Sequence, residues 1–385
     1  MFSILKKKGY ATKFVTPISG TCMFIVGFTY VDDSDLIAYS ANHNVASTVT
    51  KMQNIVRDWE KAARVTGGAI EPSKCWWYLV QFNWDRHGMW TYGHDEEYKI
   101  EAPDSENNMC TIQRLKVTES SEMLGVFVTP NGKWDTQFEE MMKKAKKYAA
   151  KMRVSYVYKH EAWLGLTTMA MKSLEYCLPA TSLSEKQCND ITWQLLQAFL
   201  PKSGINRRIC RDVLYAPSDF QGLGLKNLFL SQGISHVNKI VDQIWKKSIT
   251  GNFILESIEH LQLELGTNEN IFKVPYEHFK HRILLTNSWI LHTWQFMSEH
   301  KIYIQVIQKS IPLLRENNVA LMDIINDPKI ASSHEVNVIN KCRIYLQVFS
   351  LADITTGCGN RILDSTWHGI RDSNNSRSNI SWPKW

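Results

Sequence analysis

The chain has 385 residues, 44% of them hydrophobic and 11% aromatic, which excludes a disordered protein and is enough apolar material for two or three packed domains. Its net charge of +6 and pI near 8.7 are compatible with a polyanionic partner but too small to establish one. The eight cysteines contain no C-x-x-C pair. The longest apolar run, residues 22–31, is too short to span a bilayer. We therefore expect an intracellular protein of the nucleus or cytoplasm that is not secreted.

The first predicted element is a β-hairpin with two carboxylates at its turn. Residues 23–31 form a continuous apolar and β-branched run that predicts a buried strand. A second apolar stretch, residues 36–39, follows after Asp32 and Asp33. Residues 45–63 then place apolar side chains at alternating steps of four and three, which predicts one amphipathic helix.

Downstream, the pattern changes from strands to helices. Residues 76–84 and 123–128 predict short strands, and the turn signal Pro130-Asn131-Gly132 closes the second. From there onward, apolar residues recur at helical spacing. Helices are predicted at residues 136–152, 166–176, 185–199, 233–247, 276–298 and 303–310. The sequence therefore predicts an α+β chain with its strands in the first 130 residues.

The adjacent carboxylates Asp32 and Asp33 are the first candidate site. Like charges at close range disfavour joint ionisation, and a divalent cation relieves that conflict. Mg²⁺ prefers one or two carboxylates together with substrate phosphate oxygens, and nucleotidyl transfer uses two such ions. An ordinary solvated hairpin turn is the alternative interpretation of the same two residues.

The surrounding sequence resembles that of reverse transcriptases. The segment F-T-Y-V-D-D-S-D-L at residues 28–36 is similar to their motif C, and the long helix, Gly-Gly, P-S-K-C and L-G-V that follow are similar, in order, to motifs D and E. Further along, residues 200–207 and the segment Q-G-L-G-L at residues 221–225 resemble the thumb and post-thumb region of non-LTR retrotransposons. Gln221 stands where a first glycine is common. The resemblance implies a C-terminal portion of such an enzyme, an RNA-directed DNA polymerase.

This resemblance also implies a fold and a division into domains. Residues 1–130 would form a partial right-hand polymerase palm, which is an antiparallel sheet with a packed helix. Residues 131–270 would form a helical thumb-like region. Residues 271–385 would form a helical C-terminal region with a frayed tail.

Roles for individual residues follow from the same resemblance. Asp32 is the expected catalytic ligand of Mg²⁺ or Mn²⁺, with Asp33 as its weaker neighbour at the metal. Lys74 is the expected general acid that protonates the departing pyrophosphate. Leu124 and Gly125 belong to the expected primer grip. A surface lysine and an ordinary sheet strand are the alternative interpretations of these last two features.

A basic helix follows the primer-grip segment. Its positive side chains are Lys143, Lys144, Lys146, Lys147, Lys151 and Arg153. Phosphate contacts from such a face give sequence-independent, salt-sensitive binding. The resemblance implies that the partners are an RNA template, a DNA primer and deoxynucleotides, and no membrane partner is expected. A solvated helix face is the alternative interpretation. A second, weaker basic group comprises Lys202, Arg207, Arg208 and Arg211.

One part of a polymerase site has no counterpart in the sequence. A two-metal polymerase needs a further aspartate from an earlier strand, motif A, yet residues 1–31 contain no Asp or Glu. We therefore expect an incomplete active site, without fingers or motif A, and no polymerisation by this chain alone. Two alternatives stay open, a non-catalytic nucleic-acid-binding protein that retains the basic helix and a decayed remnant of an element.

Overall fold

The computed structural model describes residues 1–31, 33–40, 44–84, 90–93, 98–285, 288–305, 310–311, 315–316, 318–327 and 329–363. The chain folds as a mixed α/β protein that is about 51% helical, with small sheets. Within the described residues every strand precedes residue 129, and helices dominate from Asp135 onward. The predicted order of strands and helices is therefore confirmed.

The elements have the following bounds. The strands are β1 (Thr12–Val15), β2 (Cys22–Ile25), β3 (Gly27–Tyr30), β4 (Asp33–Leu36), β5 (Trp76–Tyr78), β6 (Phe82–Trp84), β7 (Trp90–Tyr92), β8 (Glu101–Pro103), β9 (Met109–Thr111), β10 (Gln113–Leu115), β11 (Ser121–Met123) and β12 (Val126–Val128). The helices are α1 (Phe2–Lys7), α2 (Val45–Val65), α3 (Asp135–Val154), α4 (Lys159–Leu164), α5 (Met171–Glu175), α6 (Glu185–Lys202), α7 (Arg211–Tyr215), α8 (Leu228–Trp245), α9 (Ile249–Leu265), α10 (Trp289–Glu299), α11 (Leu321–Ile325), α12 (Ser333–Leu346) and α13 (Leu351–Ile354). Across the described part of the chain, none of these helices combines the length and apolar character needed to cross a bilayer.

The strands form two-stranded ladders rather than the single antiparallel sheet that the resemblance implies. β1 pairs with β2, β3 with β4, β6 with β7, β8 with β9 and β11 with β12, all antiparallel, whereas β5 and β10 are parallel. The long strand predicted at residues 23–31 is divided at Val26, whose carbonyl accepts a hydrogen bond from the Ile37 amide at 2.7 Å. The antiparallel sheet expected for a partial palm is therefore replaced, in the described residues, by small two-stranded sheets.

The strand that leads to the carboxylate turn is also less buried than its composition predicts. Phe28 is 46% exposed and Tyr30 is 64% exposed, while Ile25 and Val26 are buried. The prediction of a continuously buried strand is therefore wrong: burial alternates along β2, where Phe24 is exposed between the buried Met23 and Ile25, and β3 is mostly exposed. The reason is that, among the described residues, β3 pairs with β4 alone, and no further strand of this sheet flanks these rings.

Helix α2 packs behind the first hairpin, as its amphipathic pattern predicts. Ile55 is fully buried in a cluster with Leu5 of α1 and Val26. Val49 and Val56 belong to a second cluster that includes residues of the β8 region. The helix thus supports both the carboxylate hairpin and the ladders that follow it in the chain.

The helical half of the chain has its own core. Helix α3 packs along α6, and its buried side chains Met141, Ala145 and Ala149 share one cluster with Leu195 and Phe199. Small alanine side chains allow the two helices to approach closely. The opposite face of α3 is left in solvent, which is the face that carries its lysines.

Helix α9 makes a direct contact with the turn of the β1–β2 hairpin. The Glu259 carboxylate accepts hydrogen bonds from the amides of Ile18 and Ser19 at 2.8 and 3.0 Å. The Phe253 ring contacts the rings of Phe14 and Phe28, with centroids 5.2 and 6.3 Å away. Segments predicted to belong to the palm and the thumb are therefore packed together.

The Q-G-L-G-L segment is a tight turn against α7. Its amides at Leu223 and Leu225 donate to the carbonyls of Val213 and Leu214 at 2.9 and 3.1 Å. A Cβ at Gly222 would lie 2.0 Å from the Ala216 carbonyl oxygen, so only glycine fits there. Gln221 has a φ of 60°, in the left-handed region that favours glycine. The residue that departs from the common family pattern thus occupies a glycine-type backbone conformation.

Candidate active site

The carboxylate hairpin has a two-residue connection. Tyr30 pairs with Asp33 across the ladder, and Val31 follows Tyr30 with a φ of 56°. The expected metal ligand Asp32 lies outside the described residues, so its prediction stays a prediction. Asp33 is exposed at the start of β4. Asp35, two residues further along the same strand, is also exposed, and partial desolvation by its surroundings, together with the negative charge of Asp33, raises the pKa of its carboxyl.

Asp33 lies in a cleft that also contains the predicted primer-grip residues. The cleft has a volume of about 560 Å³ and is lined by Asp33, Trp76, Gln113, Leu115, Ser120, Ser121, Glu122, Leu124 and Gly125. Its walls come from the carboxylate hairpin, the β5–β10 ladder and the β11–β12 hairpin. The structure therefore brings together candidate residues that are about 90 positions apart in the sequence.

Leu124 and Gly125 are in a turn, not in the predicted strand. Met123 pairs with Val126, and the two residues between them have φ values of 50° and 77°, which is the pattern of a type I′ hairpin turn. The strand predicted at residues 123–128 is thus a hairpin whose tip faces the cleft. The Tyr176 hydroxyl donates to the Leu124 carbonyl at 2.8 Å and holds this turn against α5. A fixed turn beside Asp33 is a suitable support for the end of a bound strand.

Lys74 is close in sequence to the cleft residue Trp76 but does not itself line the cleft. It ends the 3₁₀ turn Pro72–Lys74, two residues before Trp76, and its side chain is exposed. Trp76, which is 41% exposed, is the residue of this segment that reaches the cleft. The predicted general acid thus stays a prediction that the described contacts do not support.

The basic side chains of α3 are exposed, and the structure divides them into two groups. Lys143 pairs with Glu140 at 3.4 Å, and Lys144 donates to the Ser173 carbonyl at 3.2 Å. The other basic side chains of α3 are exposed and make no hydrogen bond or ion pair with the described part of the chain. They are Lys146, Lys147, Lys151 and Arg153. These four cations are the ones available to a polyanion.

The second basic group is partly engaged in local structure. Lys202 donates to the Ser155 carbonyl at 2.8 Å, and the Arg211 guanidinium lies over the Trp193 ring at 5.6 Å. Arg207 and Arg208 are exposed. This group therefore offers fewer available charges than α3, in line with its weaker sequence signal.

The carboxylates that line the cleft are Asp33 and Glu122. In the part of the chain that the structure describes, no group of three or more His, Cys, Asp or Glu side chains is arranged to hold a metal ion. Oxygen donors of this kind suit Mg²⁺, but these two residues supply only part of a two-ion site.

Several cleft residues have no signal in the sequence. Trp76, Gln113 and Glu122 come together because β5 pairs in parallel with β10, at Gln113 opposite Trp76, and because the β11–β12 hairpin lies beside this ladder. Periodicity predicts which segments are extended but carries no information about which of them become neighbours. Only the motif order connected Asp33 with Leu124.

Val31 is in a conformation that its side chain disfavours. A β-branched residue at φ 56° is a genuine steric outlier, and each left-handed non-glycine residue costs about 1–2 kcal/mol. We expect Val31→Gly to raise the free energy of unfolding by about 0.5–1 kcal/mol, the gain being reduced by the higher unfolded-state entropy of glycine. Urea titration followed by circular dichroism measures the change.

Val15 provides the matched control for this substitution. It is exposed and lies in the regular strand β1, where glycine weakens pairing, so Val15→Gly should lower stability instead. Equal losses of stability in both variants would contradict the left-handed assignment of Val31.

Comparison with protein-family models, with curated protein sequences and with solved structures gave no match. The functional interpretation consequently depends on the motif residues and on their arrangement in the structure. That arrangement comprises an acidic turn, a second turn at Leu124 and Gly125 in the same cleft, and a helix with four unpaired cations that starts ten residues after Gly125.

Proposed function

We propose that this chain is a palm-and-thumb portion of a non-LTR retrotransposon reverse transcriptase that binds an RNA–DNA template-primer duplex. The observation that carries the proposal is the shared cleft of Asp33, Leu124 and Gly125. A primer grip must lie beside the catalytic turn, because it presents the primer terminus to the metal-bound phosphate. The two segments that resemble motifs C and E meet this requirement although they are far apart in sequence.

The basic helix supplies the second support. α3 begins at Asp135, shortly after the β11–β12 hairpin, and carries its unpaired cations on the face opposite its contact with α6. A rigid row of lysines next to a primer-binding cleft suits the sugar-phosphate backbone of a duplex that leaves the site. Such contacts position a nucleic acid without reading its sequence.

The metal dependence of this activity is part of the proposal. Asp32 and Asp33 would hold Mg²⁺ or Mn²⁺ together with phosphate oxygens of a deoxynucleotide, and the ion would stabilise the attacking and leaving oxygens of nucleotidyl transfer. Asp33 fits this role as an exposed oxygen donor at the cleft wall. The remaining ligand that a two-ion site needs is not supplied by residues 1–31, which contain no carboxylate side chain.

We expect the chain alone to give no primer extension. The assay uses a DNA primer annealed to an RNA template, all four deoxynucleotides and either Mg²⁺ or Mn²⁺, with product length read on a sequencing gel. Extension that disappears in Asp32→Ala would show that the site is complete and would overturn this expectation. Extension that survives in Asp32→Ala would indicate a contaminating polymerase.

Binding of the duplex tests the proposal without requiring turnover. In Lys146→Glu/Lys147→Glu/Lys151→Glu we expect the affinity for a 20-base-pair RNA–DNA hybrid to fall about 30-fold at low salt, because three phosphate contacts become repulsions. The slope of log affinity against log salt should become shallower by about 3. Fluorescence anisotropy of a labelled hybrid measures both quantities.

The matched control reverses three lysines on other helices. Lys6, Lys61 and Lys186 are exposed on α1, α2 and α6, so their triple Glu variant has the same net charge as the α3 variant. We expect it to lose less than threefold in affinity. Equal losses in the two variants would mean that net charge, not the α3 surface, determines binding.

A non-catalytic nucleic-acid-binding protein is the second candidate function, and the unpaired α3 cations favour it equally. The two candidates differ at the carboxylate turn. The polymerase proposal expects Mn²⁺ binding that is lost in Asp32→Ala, whereas the second candidate expects hybrid binding that is indifferent to this substitution and no specific Mn²⁺ site. Titration of Mn²⁺ followed by electron paramagnetic resonance separates them.

A further inference from the structure

Helix α8 exposes a row of apolar side chains that the proposed function does not use. Leu230, Ile234, Val241 and Trp245 are 37%, 51%, 51% and 85% exposed. Their spacing of four, seven and four residues places them on one face of the helix. The other faces of α8 are packed, since the helix contacts α5, α6, α9 and α10. This row, which we call the α8 ridge, is therefore the one long face of the helix left in water.

The size of the α8 ridge is unusual for a surface with no partner. The four side chains together expose roughly 450 Å² of apolar surface, which is comparable to the largest patch on a typical monomeric protein. Trp245 contributes about half of this area, and tryptophan is one of the residue types enriched among the residues that dominate binding energy at the centres of interfaces. The ridge is thus a candidate docking surface.

The arrangement of the ridge indicates what docks there. The spacing is the same when read from either end, with its midpoint between Val237 and the exposed Asn238. If a second α8 lies antiparallel on the first, Leu230 faces Trp245 of the second copy and Ile234 faces Val241 of the second copy. A two-fold interface requires this self-complementarity, in which residue i contacts residue j and j contacts i.

The charges beside the ridge are compatible with a second copy. Asp242 is paired with Lys246 on the same helix at 2.7 Å, which leaves the exposed Lys247 as the remaining charge near this end of the ridge. Asn238 lies next to the two-fold axis, where its amide can pair with the same amide of the other copy. A polar residue at such a position fixes the register of paired helices.

We propose that two copies of this chain associate antiparallel along the α8 ridge. With their polar margins the two surfaces bury on the order of 1,000–1,200 Å², which is the lower limit for a specific interface, so the dimer is a weak one with a dissociation constant of about 1–100 µM. The inference goes beyond the proposed function and does not depend on it, because no cleft or α3 residue takes part.

Sedimentation of the full chain from 1 to 200 µM tests the association. We expect a monomer–dimer equilibrium that Trp245→Glu weakens at least 30-fold, because a carboxylate would replace the largest apolar contact. The control is Phe220→Glu, a residue 80% exposed elsewhere on the surface, which should leave the equilibrium unchanged. A monomer at all concentrations, or equal weakening by both variants, would overturn the proposal.

Cysteine cross-linking tests the orientation, in a background where the exposed Cys22, Cys210 and Cys358 are replaced by serine. Asn238→Cys should cross-link to itself across the axis. Leu230→Cys should not, because the two copies of residue 230 are about 22 Å apart along the helices, but it should cross-link in a mixture with Trp245→Cys. Self-cross-linking of Leu230→Cys would indicate parallel helices and contradict the antiparallel pair.

Discussion

Replacing Arg343 with methionine is expected to lower the free energy of unfolding by about 3–5 kcal/mol, the largest effect of any single substitution considered for this chain. Arg343 is 4% exposed, and its guanidinium donates to the carbonyls of Leu263 and Glu264 at 2.7 and 2.9 Å. It also donates to the Val348 carbonyl at 3.2 Å and to the Asn340 side chain. One side chain therefore satisfies carbonyls at the C-terminal end of α9 and joins that end to α12.

The large loss of stability comes from the buried acceptors that lose the Arg343 guanidinium as their donor. Methionine keeps the apolar stem of the side chain but removes the donor to the Val348 carbonyl and to the Asn340 side-chain oxygen. The Leu263 carbonyl loses its shorter bond and keeps only the Gly266 amide at 3.2 Å. Burial, with the neighbouring Arg282 guanidinium, lowers the pKa of Arg343 to about 10, so the residue stays charged at neutral pH and favours the negative end of the α9 dipole. Lysine cannot reproduce the planar fork, and we expect Arg343→Lys to be destabilising as well.

Chemical unfolding by urea, followed by circular dichroism at 222 nm, measures this difference. The control is Arg153→Met on α3, which removes an exposed guanidinium with no partner in the described part of the chain and should change stability by less than about 0.5 kcal/mol. A loss below 1 kcal/mol for Arg343→Met would mean that the α9 terminus finds other donors.

Acidification is expected to destabilise the fold through His236. This side chain is 2% exposed, its ring nitrogens lie 3.2 Å from the Leu178 carbonyl and 3.2 Å from the Thr293 hydroxyl, and the Trp289 ring packs 4.6 Å away. Burial lowers the pKa of His236 from 6.5 to about 4. The folded chain therefore disfavours the protonated imidazole, whereas the unfolded chain accepts the proton at pH 6.5.

The sign of the pH dependence follows from these two values. Above pH 6.5 the imidazole is neutral in both states and has no effect on the unfolding equilibrium. Between pH 6.5 and about 4 the unfolded state binds the proton and the folded state does not, so stability is lost as the pH falls. At about 1.4 kcal/mol for each pH unit, the total loss over this range is about 3 kcal/mol.

His236→Gln isolates this contribution, because glutamine keeps an amide donor and does not titrate. We expect the difference in unfolding free energy between pH 7.5 and pH 4.5 to shrink by about 2–3 kcal/mol in this variant. Other groups, such as the partly buried Glu264 carboxyl with its raised pKa, contribute to both proteins and cancel in the comparison. The exposed His160→Gln is the control, and an equal change there would contradict the role of His236.

The helices of this chain follow closely from its sequence where one apolar face is continuous. Residues 45–63, 185–199 and 233–247 predict helices, and the structure has α2, α6 and α8 at these places. Helix α9 escapes prediction because Gly251 in its first turn is locally a helix breaker. A Cβ there would lie 2.2 Å from the Gln243 carbonyl oxygen, so this glycine is explained by a tertiary contact.

The predicted helix at residues 276–298 is only half correct. Tyr276–His278 and Lys280–Arg282 are 3₁₀ turns, and α10 begins at Trp289. The buried Arg282 donates to the carbonyls of Leu265 and Met322, which holds this segment in its irregular path. Helical periodicity cannot reveal such long-range hydrogen bonds.

The candidate site, like the helices, could be predicted only in part from the sequence. The order of the motifs groups Asp33 with Leu124 and Gly125, and the structure places these three residues in one cleft. Their expected roles stay predictions. The role of Trp76 and Glu122 in the cleft depends on which short strands become neighbours, and this is decided by non-local pairing. The metal-ligand role of Asp32 stays a prediction.

The hydrogen bonds between Glu259 and the β1–β2 hairpin affect how the chain folds during its synthesis. The carboxylate that accepts the Ile18 and Ser19 amides is synthesised about 240 residues after them. At translation rates of about 5–20 residues per second, the hairpin waits roughly 12–50 s on the ribosome for this partner. During that interval Phe14 and Phe28 have no Phe253 to cover them. Nascent chains are thus most in need of chaperones before α9 emerges.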